Sequence, residues 1–363
     1  MNKRTRILLV FGGQSGEHEV SIVSAGSVLK ALDSAKYEIE TVGITKEGLW
    51  YWGVKPQEWQ EKTGQILPHY RQVTLLLDPQ KPRFIALDGS PLSGDGQCDI
   101  VFPVLHGPKG EDGTIQGLFD LAGLPYVGSG VLGSALGMDK DKMKAAFRDA
   151  GLPIVPHLTL LRSELKEIEQ ITEKISGLIG YPCFVKPANL GSSVGISKAE
   201  NEEELWTALA LAAEFDRKIV VEKGVKAREI ELSVLGNDNP QVSIPGEIIP
   251  SKEFYDYEAK YIDAGSKIVI PAALKASMVS KLQEYARQAF LAVEAKGLGR
   301  IDFFVTEDDQ IYVNEINTMP GFTQISMYPK LWEASGLSYP ALLDKLIELG
   351  WARFEDERNR RLS

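Results

Sequence analysis

Asp302, Glu315 and Asn317 are hard oxygen ligands, and Arg300 lies beside them in the segment GRIDFFVTEDDQIYVNEIN, residues 299–317. Arg300–Val305 and Ile311–Ile316 read as two strands, because both are rich in β-branched and aromatic residues with charged turn formers between them. If the turn closes with Thr306 facing Ile311, Asp302 falls opposite Glu315 and Arg300 opposite Asn317. Side chains alternate faces along a strand, so all four project from one side of the hairpin. Opposed carboxylates with Cβ atoms roughly 5 Å apart destabilise a sheet unless a cation relieves them. Oxygen donors of this kind suit Mg²⁺ when substrate phosphates and water complete its shell. Arg300 would supply a fixed charge against developing negative charge. Phe304 and Val313 are expected on the same face, and such buried-type residues speak against a merely solvated surface. A shift of register by one residue would separate the two acids.

Other stretches carry groups that handle anions or small molecules. Phe184-Val185-Lys186-Pro187 followed by Gly191-Ser192-Ser193-Val194-Gly195 reads as a strand, a loop of small residues and another strand. Such a loop brings backbone N–H groups close to an anion, with Lys186 as a point charge, although a plain flexible hairpin has the same pattern. The chain contains no G-x-x-x-x-G-K-[ST], so it is not a P-loop protein. Residues 246–265 mix aromatics with charges between two glycines, with Lys260 and Tyr261 near the tip. They suit a lid that excludes water or, more simply, a surface loop. Glu17 and His18 sit where the first helix begins. Glu17 is either a charge favoured by the helix dipole or a carboxylate facing a substrate ammonium at the carboxyl ends of the strands. His106 ends another strand at that edge, and Lys140 in MDKDK is ambiguous by itself.

These residues need a scaffold. Strand Arg6–Phe11, the turn GGQSG, a helix and strand Glu38–Ile44 form a βαβ opening and imply a parallel sheet. The glycine turn lacks the G-x-G-x-x-G spacing of a dinucleotide site. Residues 46–97 read as an irregular insertion with short strands. Strand Ile100–Leu105, a helix over Ile115–Ala122 and a short strand near Tyr126 complete a first unit ending near Gly128. A helical run to Ala150 opens the second. Strands His157–Leu161, Cys183–Lys186 and Lys218–Glu222 follow, with helices over Ser163–Ile175 and Leu205–Glu214. Beyond Gly224 the pattern becomes an antiparallel meander, Glu229–Leu235 and Gln241–Ile249, before the hairpin. Helices at 276–295 and 340–352 flank it, and the charge run after 352 reads as a solvated end.

Composition narrows the function. A chain of 363 residues with 44% hydrophobic and 25% charged content holds two or three ordinary globular domains. Its net charge of −10 argues against binding nucleic acid by backbone neutralisation. No apolar run reaches 18 residues, which predicts no membrane span and a cytoplasmic location. Cys98 and Cys183 are too few for a disulfide framework, and the histidines at 18, 69, 106 and 157 lack metal-ligand spacing.

Taken together, FGGQSGEHEVS, LHGPKGEDGTIQG, MDKDK, FVKPANLGSSVG, EFYDYEAKYID, GRIDFF and NEINTMPGFTQISMYP, in that order, resemble the D-alanine–D-alanine ligases of the ATP-grasp superfamily. The resemblance covers nearly the whole chain. It implies an α/β (α+β) fold: an N-terminal parallel α/β domain over 1–128, then a two-domain ATP-grasp fold with antiparallel sheets over 129–221 and 222–363. It implies ATP, two Mg²⁺ ions replaceable by Mn²⁺, room for a monovalent cation, and a homodimer. The reaction would join two D-alanines through a D-alanyl phosphate, for peptidoglycan precursors. Relatives that make D-Ala–D-lactate differ in the lid, whose EAKYID here follows the dipeptide pattern.

The resemblance also implies roles. Glu17 would bind the first D-Ala ammonium, with His106 in the same pocket. Arg300 and the Gly321 N–H would stabilise the tetrahedral oxyanion, and Ser326 and Met327 would receive the second carboxylate. Glu17, Ser192 and Tyr261 would form a hydrogen-bonded triad. Lys140, Lys186, Ser192, Ser193, Tyr255, Lys260 and Asn314 would line the ATP site, together with Glu315. Glu222 and the backbone of Lys223 through Val225 would hold adenine, and Glu229 the ribose. Asp302, Glu315 and Asn317 would ligate the metal ions.

Overall fold

The computed structural model describes residues 4–62, 64–250 and 267–359. Three sheets organise them. The first is built on β1 (Thr5–Gly12), whose Leu8, Leu9, Val10 and Phe11 are fully buried, as a central strand covered on both faces requires. Helix α1 (His18–Ala31) leads to β2 (Tyr37–Ile44), and β6 (Ile100–Val104) pairs with β1 on its other side, both parallel. The insertion is more regular than its composition suggests. Strands β3 (Trp50–Trp52), β4 (Arg71–Leu76) and β5 (Arg83–Ala86) extend this sheet antiparallel beyond β2, with the short helix α2 (Pro56–Glu61) between β3 and β4. Trp52, Trp59 and Phe84 bury themselves in doing so, which makes the sheet mixed rather than parallel. Helix α3 (Thr114–Ala122) follows, and Tyr126 makes a single parallel bridge to Val101.

Helices α4 (Val131–Met138) and α5 (Lys140–Asp149) come next. Asp139 caps α5 by accepting from the backbone N–H groups of Asp141 and Lys142. The second sheet contains β7 (His157–Leu161), β8 (Cys183–Pro187), β9 (Ser197–Ala199) and β10 (Lys218–Lys223), all antiparallel in the order β7-β10-β8-β9. Helices α6 (Ile168–Leu178) and α7 (Glu202–Phe215) pack on it. Strand β10 carries this sheet to Lys223, past the division expected at 221.

The third sheet runs through β11 (Ala227–Gly236), β12 (Gln241–Val242), β13 (Gly246–Ile249), β14 (Lys267–Val269), β15 (Gly297–Thr306) and β16 (Ile311–Asn317). The strand expected over 241–249 is broken in two. Pro245 has no N–H to give a ladder, and β12 and β13 pair with separate parts of β11. Helix α8 (Ala276–Ala292) covers one face, where Ile230, Leu232, Ile301, Phe303 and Val313 form the core with Met143 and Phe147 of α5. Helices α9 (Met327–Ala334) and α10 (Tyr339–Arg358) return to the first sheet, placing Tyr328, Trp332, Leu342 and Leu346 beneath Phe11 and Phe102. The charge run continues α10 as far as Arg358, with Glu355, Asp356 and Arg358 exposed but Arg353 turned inward. Arg353 is buried, with its guanidinium 4.0 Å above the Tyr126 ring and in an ion pair with Glu357. No helix among the described residues is long and apolar enough to cross a membrane.

Candidate active site

Across β15 and β16, Arg300 lies opposite Asn317 and Asp302 opposite Glu315. The turn does not close as expected: Val305, not Thr306, faces Ile311. Asn314, which has no counterpart on β15, takes up the difference as a bulge between the Asp302 and Phe303 pairings. The bulge also moves Val313 to the core face beside Phe303, away from Phe304. On β11, Glu231 pairs with Asp302 and Glu229 with Phe304. Glu231, Asp302 and Glu315 therefore form a row of carboxylates across three strands.

Arg300 is the cation inside this row. Its Nε and Nη2 donate to the two oxygens of Asp302, each at 2.7 Å, and Nε lies 3.1 Å from Glu231. Burial opposes the guanidinium charge, but Asp302, Glu231 and Glu315 outweigh it and raise the Arg300 pKa well above its usual value. Among the described residues no three acidic, His or Cys side chains converge as a ready-made metal centre. The donor set nonetheless fits a divalent cation. Carboxylates outnumber the single arginine, Asn317 adds an amide oxygen that already accepts from Met319 N–H at 3.2 Å, and Mg²⁺ is commonly held by one or two carboxylates plus phosphates.

The second sheet contributes a buried ion cluster. Lys186 Nζ donates to Glu222 Oε2 at 2.6 Å, while Lys144 Nζ lies 2.9 Å from Glu222 Oε1. Burial would raise the Glu222 pKa, but the two ammonium groups hold it far below the usual carboxylate range. Lys223, which follows in β10, is exposed and its N–H donates to Pro156 O; Val225 lies just beyond the strand.

The loop after β8 meets the first sheet. Ser192 and Ser193 both have positive φ, 51° and 59°, which turns the small-residue segment sharply. The Ser192 hydroxyl donates to Glu17 Oε1. A Cβ at Gly191 would stand 2.9 Å from Glu17 Oε2 and one at Gly107 3.0 Å, so the carboxylate lies close against the backbone at both glycines. Lys140 Nζ donates to Leu190 O, on the same loop, at 2.6 Å, and its N–H to Ala188 O at 3.0 Å. Asp216 secures the loop's other side by accepting from Asn189 N and Nδ2.

His106 is 4% exposed, and both its ring nitrogens meet protein atoms: Nδ1 lies 3.0 Å from Met319 O and Nε2 3.3 Å from Ser24 Oγ. It stitches β6 to the segment after β16 and offers no free nitrogen to a pocket. Glu111 lies 3.6 Å away, and burial pushes its carboxyl up to about 7 against the pull of His106. Near Gly321, Ser326 Oγ is engaged by Thr323, accepting from its N–H at 2.9 Å. Met327 packs its side chain on Ile248 and Leu331, so its backbone is the part left to face a ligand. Tyr255, Lys260 and Tyr261, with nearly all of the expected lid, lie outside the described residues.

Two charged side chains of this arrangement, Glu231 and Lys144, were not singled out from the sequence. Glu231 follows Glu229 at period two within EIELSV, so the alternation that placed Asp302 could have found it. Lys144 stands one helical turn beyond Lys140, beside the core residues Met143 and Phe147, and nothing in its spacing marks it.

Comparison with known proteins agrees with the family that the sequence resembles. Residues 6–129 match the family model described as the D-ala D-ala ligase N-terminus, and residues 146–348 match the D-ala D-ala ligase C-terminus. A D-alanine–D-alanine ligase of Heliobacterium modesticaldum is 50% identical, over 99% of this chain and 98% of its own. One from a Thermoanaerobacter species is 52% identical over 96% of each. Among solved structures, the D-alanine–D-alanine ligase of Coxiella burnetii superposes with a TM-score of 0.82 at 37% identity, covering 98% and 97% of the two chains. The VanG D-Ala:D-Ser ligase of Enterococcus faecalis gives 0.86 at 37% identity, covering 96% and 100%.

Proposed function

The chain belongs to the D-alanine–D-alanine ligase family, and we infer from that membership and from its site how it works. It is an ATP-dependent ligase that joins two D-alanines into D-alanyl-D-alanine, releasing ADP and phosphate, for peptidoglycan precursor synthesis. The observation that carries this reading is the Glu17 carboxylate lodged against the 191–195 loop and bonded to Ser192. A group suited to a substrate ammonium and a loop suited to phosphate thereby share one site.

The first D-alanine would rest its ammonium on Glu17, and its carboxylate oxygen would attack the γ-phosphorus of ATP. The P–O bond to ADP breaks as D-alanyl phosphate forms. The amine of the second D-alanine then attacks that carbonyl, loses a proton, and phosphate leaves. Arg300 and the Gly321 N–H would face the tetrahedral oxyanion, where fixed donors outperform water. Ser326 and the Met327 N–H would take the second carboxylate. Lys140, Lys186 and the Ser192–Ser193 backbone would hold the nucleotide phosphates. Glu222 and the backbone of Lys223 through Val225 would meet adenine, and Glu229 the ribose. Asp302, Glu315 and Asn317 would hold Mg²⁺ or Mn²⁺, which neutralises phosphate charge when bound. A homodimer in the cytoplasm, divided at about residues 128 and 221, completes the proposal.

Phosphate release from ATP tests the reading. It should require D-alanine and yield the dipeptide, also when D-lactate or D-serine is supplied with D-alanine. Depsipeptide, or D-Ala–D-Ser, as the main product would overturn the choice of second substrate, and release indifferent to D-alanine would overturn the first. Ser192→Ala removes the hydroxyl that ties the loop to Glu17. Its kcat/KM for D-alanine should fall roughly tenfold, the loss of one charge-assisted hydrogen bond, with the melting temperature unchanged. An unaltered kcat/KM would show that this contact is idle in turnover.

A further inference from the structure

Lys144 has no part in the scheme above, yet its side chain is only 1% exposed. An ammonium is buried so deeply only where it is paired. Its Nζ lies 2.9 Å from Glu222 Oε1 and donates to Asn314 O at 3.2 Å. These partners sit on different sheets: Glu222 is on β10, and Asn314 is the bulged residue of β16. One buried ammonium therefore bridges the second and third sheets from a helix packed on the third.

Glu222 consequently has two cations for one charge. Lys186 is the mobile candidate of the two: its side chain is 10% exposed, it precedes the 191–195 loop, and Glu315 and Glu229 also act on it. Lys144, enclosed and tied to a backbone carbonyl, has nowhere to go. When Lys186 turns to a phosphate, Glu222 keeps a counter-ion only because Lys144 stays.

We propose that Lys144 is a positioning residue for the nucleotide: it keeps Glu222 ionised and aimed at the base once Lys186 has left, and it holds the β16 hairpin to β10. The proposal rests on the reading of Glu222 and Lys186 as nucleotide contacts. In the ligand-free protein of a Lys144→Met variant, Lys186 still neutralises Glu222. The cost of the substitution therefore falls on nucleotide binding, where truncating one partner of a buried charge pair is felt most.

ADP binding with magnesium, measured by calorimetry without D-alanine, tests this. Lys144→Met should weaken ADP by about tenfold or more, and raise KM for ATP in step while KM for D-alanine holds. Lys144→Arg should recover most of the affinity. In a Glu222→Gln background, which removes the charge needing a partner, adding Lys144→Met should change affinity by less than about twofold. Lys144→Gln fills the site and stands in, with the same expected loss, if Lys144→Met does not fold. Unchanged ADP affinity in the folded variant overturns the proposal, as does an equal loss in the Glu222→Gln background. Failure of the unaltered protein to bind ADP overturns the nucleotide reading itself.

Discussion

Glu315→Ala is expected to lower D-alanine-dependent phosphate release by on the order of a thousandfold, because a metal ligand contributes several kcal/mol to charge stabilisation in the transition state. The same substitution should change the melting temperature of the ligand-free protein little, because two opposing effects meet at Glu315. Glu315 faces Asp302 directly across the ladder, and Glu231 extends the row on the far side of Asp302. Like charges so placed repel, but Glu315 also supports the charge of the Arg300 guanidinium, so removing it sets one effect against the other even as it removes the ligand. Arg300 keeps its fork on Asp302 either way. The check is phosphate release together with a thermal melt in the absence of nucleotide. Near-normal turnover in well-folded Glu315→Ala protein would sink the metal-ligand assignment.

Arg300→Ala should fail in both respects. Its guanidinium is the cation between Asp302 and Glu231, both largely buried. Deleting it removes the cation that these two carboxylates share, a change that costs about 3–5 kcal/mol for buried pairs. Turnover should fall by a further 10²–10³-fold or so through loss of oxyanion stabilisation. Arg300→Lys separates the two effects. A lysine keeps the charge but loses the bidentate geometry, so it should restore more of the stability than of the rate. Urea unfolding and initial rates for the pair of variants decide this. An Arg300→Ala protein that unfolds at the parent's urea midpoint would show that the carboxylates are neutralised by something else.

Much of this site was legible because strands impose a period of two. Asp302, Glu315, Arg300 and Asn317 could be assigned to one face from types and spacing alone, and the ladder agrees. The same pairs arise although the turn closes differently, because the extra residue in β16 offsets the shift and leaves no mark in a count outward from the tip. Glu17 and Ser192, 175 residues apart, meet by tertiary packing that no local pattern encodes. His106 illustrates the converse. Its position at a strand end suggested a pocket, whereas its contacts with Met319 and Ser24 depend on the segment after β16 folding back over the first sheet. Pro245 was visible and its effect calculable, yet the apolar run around it read as one strand.

Strand β11 pairs along the whole of β15, from Ala227 opposite Thr306 to Gly236 opposite Gly297, so Asp302 is held in place whatever the turn does, and the bulge at Asn314 keeps Glu315 opposite it. The tip, residues 307–310, is exposed throughout. Lengthening or recoding it changes the closure without moving the acids, so the hairpin is a natural graft point for a tag or reporter peptide. Removing Asn314 would straighten the ladder, likewise without moving the acids: Glu315 would follow Val313 directly and stay opposite Asp302.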